Sequence, residues 1–157
     1  MEIIKELIVE IKNEQKEYGE NLQPPAEIEN THKLKLKILE SFNFNLSPIY
    51  LDILEITNGI DYDGTVLYAT ETTKIVGYDD RFIDGFFEAN EIWHEDEYKK
   101  SFLVYAESDM YLFFQSLEDS KFYVVPKDSL DVIVYQTLNS KDFFQKILES
   151  FLGRFVE

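Results

Sequence analysis

The sequence predicts an α+β fold in which a β-meander is combined with helices near both ends of the chain. Two observations predict it: hydrophobic residues recur at helical spacing near both termini, and short β-rich segments separated by turn residues fill much of the second half. The length of 157 residues is typical of one domain, and 45% hydrophobic residues suffice for a large core. We therefore expect one domain over residues 1–157, with residues 1–23 as an N-terminal helical extension.

Five helices are predicted from hydrophobic spacing and capping residues. The first should fade near Tyr18-Gly19, and its apolar stripe is Ile3, Ile4, Leu7, Ile8 and Ile11. The second has Leu34, Ile38, Leu39 and Phe42 on one face. The third should begin at the N-cap Ser47 with Pro48 at the first helical position, bury Tyr50, and end at Asn58-Gly59, with glycine as a left-handed C-cap. A short helix should cover Phe86 to Trp93, and a last one should begin at Ser140 and pack on the sheet through Phe143, Phe144, Ile147, Leu148 and Phe151.

Strands are predicted for segments that are rich in β-branched and aromatic residues and are bounded by turn residues. They cover residues 65–70, 74–78, 102–106, 110–115, 121–125 and 131–137. Asp61-Tyr62-Asp63-Gly64 should form a turn before the first strand, and Glu107-Ser108-Asp109 should link a hairpin. A meander is the simplest topology for these segments.

Charge and composition exclude several classes of function. The chain has 31 acidic and 15 basic residues, a formal net charge of -16, which disfavours nucleic acids and anionic membranes as partners. It contains no cysteine, which excludes disulfides and thiolate chemistry. The acidic N-terminus is unlike a signal peptide, and no apolar run is long enough to cross a membrane. We expect a cytoplasmic protein.

The sequence shows no complete catalytic or metal-binding motif. Glu91 precedes His94 by three residues, but the second such pair that a dimetal site needs is missing, so we expect His94 to be a solvated residue at a helix end. Ser108 lacks the glycines of a nucleophile elbow and is better explained as a turn residue. Asp61 and Asp63 lack the later carboxylates of a calcium loop. We therefore predict no enzyme activity, metal or cofactor; a hydrolase that uses Glu107 and Asp109 would depend only on two neighbouring carboxylates.

Aromatic residues make up 15% of the chain, and eight of them could serve either a core or a protein-binding face. They are Phe82, Phe86, Phe87, Trp93, Tyr98, Tyr105, Tyr111 and Tyr123. We expect about two thirds of them to be buried and the rest to be available at an interface.

Four segments, in order, resemble motifs of the SUKH superfamily. Residues 47–59, with Pro48, Tyr50, Asn58 and Gly59, resemble its L-P-x-x-Y-x-x-F-L-x-x-x-N-G helix, with the proline one place late. Residues 61–68, with Gly64 and Tyr68, are similar to the D-F-N-G-x-x-x-Y segment of the YrhA-like branch. Residues 85–93, with Asn90 and Trp93, match G-F-x-E-A-N-x-x-W, and Glu107-Ser108-Asp109 matches G-E-S-D with Ala106 in place of glycine.

The resemblance implies a mainly antiparallel, twisted sheet flanked by N-terminal and C-terminal helices, and a binding role instead of catalysis. The superfamily includes bacterial immunity proteins, which neutralise toxins that are often nucleases, and a fungal regulator of cell-wall synthesis. The leading hypothesis is therefore an immunity protein whose acidic surface meets a basic toxin domain. The alternative is an intracellular regulatory or scaffold protein linked to cell-wall processes.

We expect the partner surface to include acidic residues together with residues of these motifs. The candidates are Asp61, Asp63, Tyr68, Asn90, Trp93, Glu95, Asp96, Glu97, Glu107 and Asp109. Gly64 and Ser108 are expected to have structural roles in turns. Between Asp52 and Glu97 the chain has 13 acidic residues and only two basic ones, Lys74 and Arg81, a net charge of -11. We call residues 52–97 the acidic segment; plain solubility is the alternative explanation of its charge.

Overall fold

The computed structural model describes residues 1–155, in which five α-helices accompany a six-stranded antiparallel sheet and a separate two-stranded hairpin. The helices are α1 (Glu2–Glu17), α2 (Ile28–Phe42), α3 (Pro48–Leu54), α4 (Phe86–Trp93) and α5 (Ser140–Phe151). The strands are β1 (Ile60–Tyr62), β2 (Thr65–Leu67), β3 (Thr73–Lys74), β4 (Phe82–Ile83), β5 (Phe102–Glu107), β6 (Tyr111–Ser116), β7 (Phe122–Pro126) and β8 (Tyr135–Thr137). The predicted α+β class, with helices at both ends, is confirmed.

The main sheet is the predicted meander, with one insertion. Its order is β1-β2-β5-β6-β7-β8, and every neighbouring pair is antiparallel. The insertion between β2 and β5 contains the β3–β4 hairpin and α4. The β5–β6 register shifts between Val104 and Ala106, which leaves Tyr105 as an extra residue in β5.

The core lies between the sheet and the helices. Tyr105 is fully buried there, and its ring contacts those of Tyr50 on α3, Phe86 on α4 and Phe144 on α5 at centroid distances of 4.9, 5.1 and 5.1 Å. The predicted apolar face of α5 is buried throughout. The stripe predicted for α1 joins the same core, where α1 packs against α5, although Ile3 is only partly buried.

Helix ends differ from the predictions in their details. Helix α3 ends at Leu54, so Gly59 is not its C-cap; Gly59 lies just before β1, although its φ of +82° is in the predicted left-handed region. Ser47 is the N-cap residue of α3 as predicted, but its hydroxyl makes no cap hydrogen bond. Asn139, not Ser140, caps α5, because its side chain accepts a hydrogen bond from the Asp142 N–H.

Strand boundaries were predicted too long in several places. Asp61 and Tyr62 belong to β1, and the turn consists of Asp63 and Gly64, with φ values of 49° and 80°, a pair of positive values that suits a tight hairpin. The strand predicted over 131–137 is only Tyr135–Thr137, and the one over 65–70 ends at Leu67. The strand predicted over 74–78 is replaced by β3 and a turn. Leu39, placed on the buried face of α2, is exposed.

Candidate functional site

A chain of polar contacts connects three residues that the sequence nominated separately. The Trp93 indole N–H donates to the Tyr68 hydroxyl oxygen over 2.9 Å, and the Tyr68 hydroxyl donates to Glu107 Oε2. The other carboxylate oxygen of Glu107, Oε1, accepts from Lys127 Nζ at 2.9 Å. We call Trp93, Tyr68, Glu107 and Lys127 the polar chain; it joins α4, the end of β5 and the residue that follows β7.

Burial determines the protonation of the central group of the polar chain. Tyr68 is only 1% exposed, and this burial, together with the Glu107 carboxylate, raises the pKa of the phenol. Tyr68 therefore stays neutral and donates its proton to the hydrogen bond. The carboxylate of Glu107 is engaged at both oxygens, while the Glu107 and Lys127 side chains remain about one third exposed. The ion pair between Glu107 and Lys127 is thus partly exposed to solvent, and the hydrogen bond from the buried Tyr68 holds the Glu107 carboxylate in place.

Asn90 holds α4 in position beside this chain. Its side-chain amide donates to the carbonyl of Val104 at 2.9 Å and accepts from the Val104 N–H at 2.7 Å. Strand β2 pairs with β5 only at Ala106 and Glu107, so on this side of β5 no strand pairs with Val104. The Asn90 amide instead satisfies the backbone N–H and carbonyl of Val104. Asn90 is fully buried, as is Tyr68, and neither can touch a partner. Their assignment as contact residues is wrong; they position Trp93 and Glu107.

The two hairpin turns at the end of the sheet lie against each other. A Cβ atom at Gly64 would be 2.8 Å from Oδ2 of the exposed Asp109 side chain, which can move aside, so it is the positive φ that favours glycine there. Between the turns is a cavity of about 210 Å³ lined by Asp63, Asp109 and Met110, among others. The Ser108 hydroxyl oxygen accepts from the Tyr111 N–H at 3.0 Å, which confirms Ser108 as a turn residue.

The acidic residues after α4 are exposed and reach the polar chain through Lys99. Asp96 accepts from the Tyr98 N–H and from Lys99, and both contacts lower the pKa of its carboxyl. The Lys99 ammonium in turn lies 5.1 Å from the Trp93 ring centroid. Glu97 pairs with Lys100, and Glu95 is exposed.

Asp61 is, with Glu107, one of the two half-buried acids among the candidates; the other five are exposed. Burial raises the pKa of its carboxyl, Glu20 adds to the increase, and Arg81 opposes it. Its ionised form is therefore less favourable in the folded protein than in water.

Exposure separates the candidate residues further. Of the 13 acidic residues of the acidic segment, 11 are exposed, and Asp61 and Glu88 are half-buried. Among the eight aromatic candidates, Phe86 and Tyr105 are buried, Phe82 and Tyr98 are exposed, and the remaining four are half-buried. Tyr98, at 83%, is the most exposed of the eight.

His94 ends α4 as expected, but it is not fully solvated. Its Nε2 lies 2.6 Å from the Phe102 carbonyl oxygen, and its ring meets that of Phe42 edge to face. Within residues 1–155, no group of three or more histidine and acidic side chains could hold a metal ion. None of the helices in that range is long and apolar enough to span a membrane.

The two lysines of the site were not predicted. Lys127 is 20 residues from Glu107 in sequence, and nothing near Lys127 indicates that the strands bring them together. A possible signal was available for Lys99, because a lysine three residues after Asp96 is a common helical pairing.

No protein-family model matches the chain, and no curated protein is similar to it in sequence. The SUKH resemblance therefore depends on the motif residues themselves. Besides Tyr68, Asn90, Trp93 and Glu107, two more of these residues make tertiary contacts: the buried Tyr50 hydroxyl donates to the Tyr68 carbonyl at 2.6 Å, and Asn58 accepts from the Thr70 N–H at 2.9 Å.

Proposed function

We propose that the protein is a non-catalytic binding protein of the immunity type, which binds and neutralises a toxin domain with a basic surface, such as a nuclease. The observation that carries this proposal is the acidic segment. Eleven of its acids are exposed. Within the described chain, the only acids of that segment with an ion pair are Asp96, which pairs with Lys99, and Glu97, which pairs with Lys100. A basic partner would neutralise charges that otherwise repel one another.

The exposed part of the candidate site supplies suitable contacts for such a partner. Asp63, Asp109 and the Glu95-Asp96-Glu97 segment offer carboxylates. Tyr98 and Met110, 83% and 64% exposed, offer apolar contact beside these acids, and large apolar or aromatic side chains are frequent anchors in interfaces. Trp93 is half-buried under Lys99, so we expect it to support the surface more than to contact the partner directly.

The Glu107 carboxylate and the Ser108 hydroxyl are both occupied by hydrogen bonds within the protein, which supports a non-catalytic role. Both oxygens of Glu107 are occupied by Tyr68 and Lys127, and the Ser108 hydroxyl accepts backbone N–H groups of its own turn. Within residues 1–155, no histidine that could serve as a general base is hydrogen-bonded to either side chain.

Co-expression with the product of the neighbouring gene tests the proposal. We expect the protein to recover that product in a pull-down and to rescue growth when the product is toxic. The variant Glu107→Gln, which keeps the shape of the side chain, should rescue as well, whereas a hydrolase would lose its activity. Absence of both a bound protein and rescue would contradict the proposal, and a knockout phenotype under cell-wall stress would then favour the regulatory alternative.

A further inference from the structure

A cavity of about 220 Å³ lies between α2 and the start of α4, apart from the polar chain and the hairpin turns. Its polar lining comes from two opposite sources. Helix α2 contributes Asn30, Lys33 and Lys37, and the other side contributes Thr70, Glu71 and Glu88. The residues that line the cavity therefore include two cationic side chains on the α2 side and two anionic side chains on the other, with a formal charge of zero.

Two of the residues that line this cavity each have a buried oxygen atom with no hydrogen-bond partner among the described residues. These atoms are the Thr70 hydroxyl oxygen and Glu88 Oε2. Thr70 is only 7% exposed; its backbone N–H is used by Asn58, but its hydroxyl is not. Buried polar atoms without a partner are rare and costly. An ionised carboxylate oxygen can only accept hydrogen bonds, so a ligand on this side of the cavity should offer a hydrogen-bond donor. An ammonium group forms a strong, charge-assisted hydrogen bond with a carboxylate.

The opposite wall calls for an anion. Lys37 Nζ lies 4.1 Å from the Phe87 ring centroid, and within the described residues it forms no ion pair. Lys33 pairs with Glu29 at 3.2 Å, but both side chains are about 70% exposed, so this pair is weak and easily exchanged for another carboxylate. The ring of Phe87 and the side chain of Leu34 leave a small apolar surface between the two walls.

We propose that this cavity binds a small zwitterion, an α-amino acid or an amino carboxylate of similar size. Its ammonium group would occupy the wall of Thr70 and Glu88, and its carboxylate would occupy the wall of Lys33 and Lys37. The volume is below the range of about 300–1,000 Å³ that is usual for drug-sized ligands, which suits a molecule of a few heavy atoms. The site shares Glu71 and Glu88 with the acidic segment, but it would be present whether or not the toxin-binding proposal holds.

An NMR titration of the full chain tests the site with glycine, L-alanine and L-serine as probes. We expect at least one of them to shift the backbone amide signals of Thr70, Glu71, Phe87 and Glu88. The N-acetyl derivative of the bound amino acid lacks the ammonium group, and its methyl ester lacks the carboxylate. Each should bind about tenfold more weakly or worse, because each loses a charge-assisted hydrogen bond.

Substitutions in the two walls provide the second part of the test. Glu88→Gln and Lys37→Met should each weaken binding by about tenfold. Their matched controls are Glu91→Gln on α4 and Lys35→Met on α2, exposed positions outside the cavity lining, and these should bind as the parent protein does. Thermal unfolding verifies that each variant folds, and Thr70→Val provides an alternative if Glu88→Gln does not.

The proposal is overturned if none of the probes shifts these signals, or if both wall variants bind like the controls. Equal binding of the methyl ester would identify a cation site, and equal binding of the N-acetyl derivative an anion site; either result would also contradict a zwitterion site.

Discussion

The core and the acidic segment of this protein differ in whether their polar and charged groups have partners within the chain. In the core, large aromatic residues are fully buried, and their polar atoms are paired: the Tyr105 hydroxyl donates to Gln115 Oε1 at 2.8 Å, and Tyr50 donates to a backbone carbonyl. In the acidic segment, most carboxylates are exposed and have no cationic partner among the described side chains. The core therefore accounts for stability, whereas most carboxylates of the segment form no ion pair within the described chain.

The two regions should also respond differently to conditions. Burial raises the pKa of Tyr50 and Tyr105, so both phenols stay neutral throughout the physiological range. The exposed carboxylates are screened by salt. Substitutions in the core should thus change stability, and substitutions of the exposed carboxylates of the segment should change binding.

The largest effect is expected for Phe144→Ala in the core. Phe144 is fully buried against Tyr50, Tyr105 and Phe143, so the free energy of unfolding should fall by about 3–5 kcal/mol. Urea denaturation measures the loss. The exposed Phe82→Ala is the control and should change stability by no more than about 0.5 kcal/mol. A similar loss in both variants would remove the distinction between core and surface.

A smaller effect is expected for Gly59→Ala, a buried glycine within the acidic segment. A Cβ atom there would lie 3.0 Å from the Leu67 carbonyl oxygen, and φ is positive, so we expect destabilisation of about 1 kcal/mol from φ alone and more from the clash. Gly77→Ala separates the two causes, since Gly77 has φ of +88° but open space around it. An unchanged denaturation midpoint for Gly59→Ala would contradict this assignment.

The smallest change in stability is expected for Asp61→Asn, the one substitution that should alter both properties. The pKa of Asp61 is raised in the folded protein, so its ionised form destabilises the fold at neutral pH, and this penalty disappears as pH falls through the folded pKa. Asp61→Asn should therefore raise the thermal midpoint at pH 7 and lose this advantage below about pH 4. Asp79→Asn, at an exposed position, is the control. A midpoint that falls at pH 7 would contradict the burial argument.

The core was largely predictable from the sequence, because apolar residues at helical spacing identify a buried face without knowledge of the fold. All five residues predicted for the face of α5 are buried for this reason. Strand ends were less predictable. Val132 and Ile133 have high β-propensity, yet they lie outside β8 and are about half exposed, since strand pairing depends on neighbours that local sequence does not specify.

The candidate site was only partly predictable. Motifs in the sequence identified most of its residues, but Tyr68 and Asn90 were wrongly predicted to contact a partner. Their burial depends on contacts between segments 14 to 39 residues apart, which the local sequence does not reveal. The bond between Asn90 and Val104 depends on β2 ending early, and no local pattern indicates this. The capping error at Ser140 had a smaller cause: Asn139 and Ser140 are both good N-cap residues, and only the backbone decides between them.

The most direct test of the binding proposal is the association rate with the protein that the pull-down recovers. The variant Glu95→Lys, Asp96→Lys, Glu97→Lys is compared with Glu2→Lys, Glu6→Lys, Glu17→Lys, which changes the net charge equally at exposed positions on α1. We predict slower association for the first variant than for the second, and thermal unfolding verifies that both variants are folded. Association of the parent protein should slow steeply with salt, since charges are screened beyond about 8 Å at physiological ionic strength. Equal rates for the two variants, or equal parent rates at low and high salt, would contradict the account.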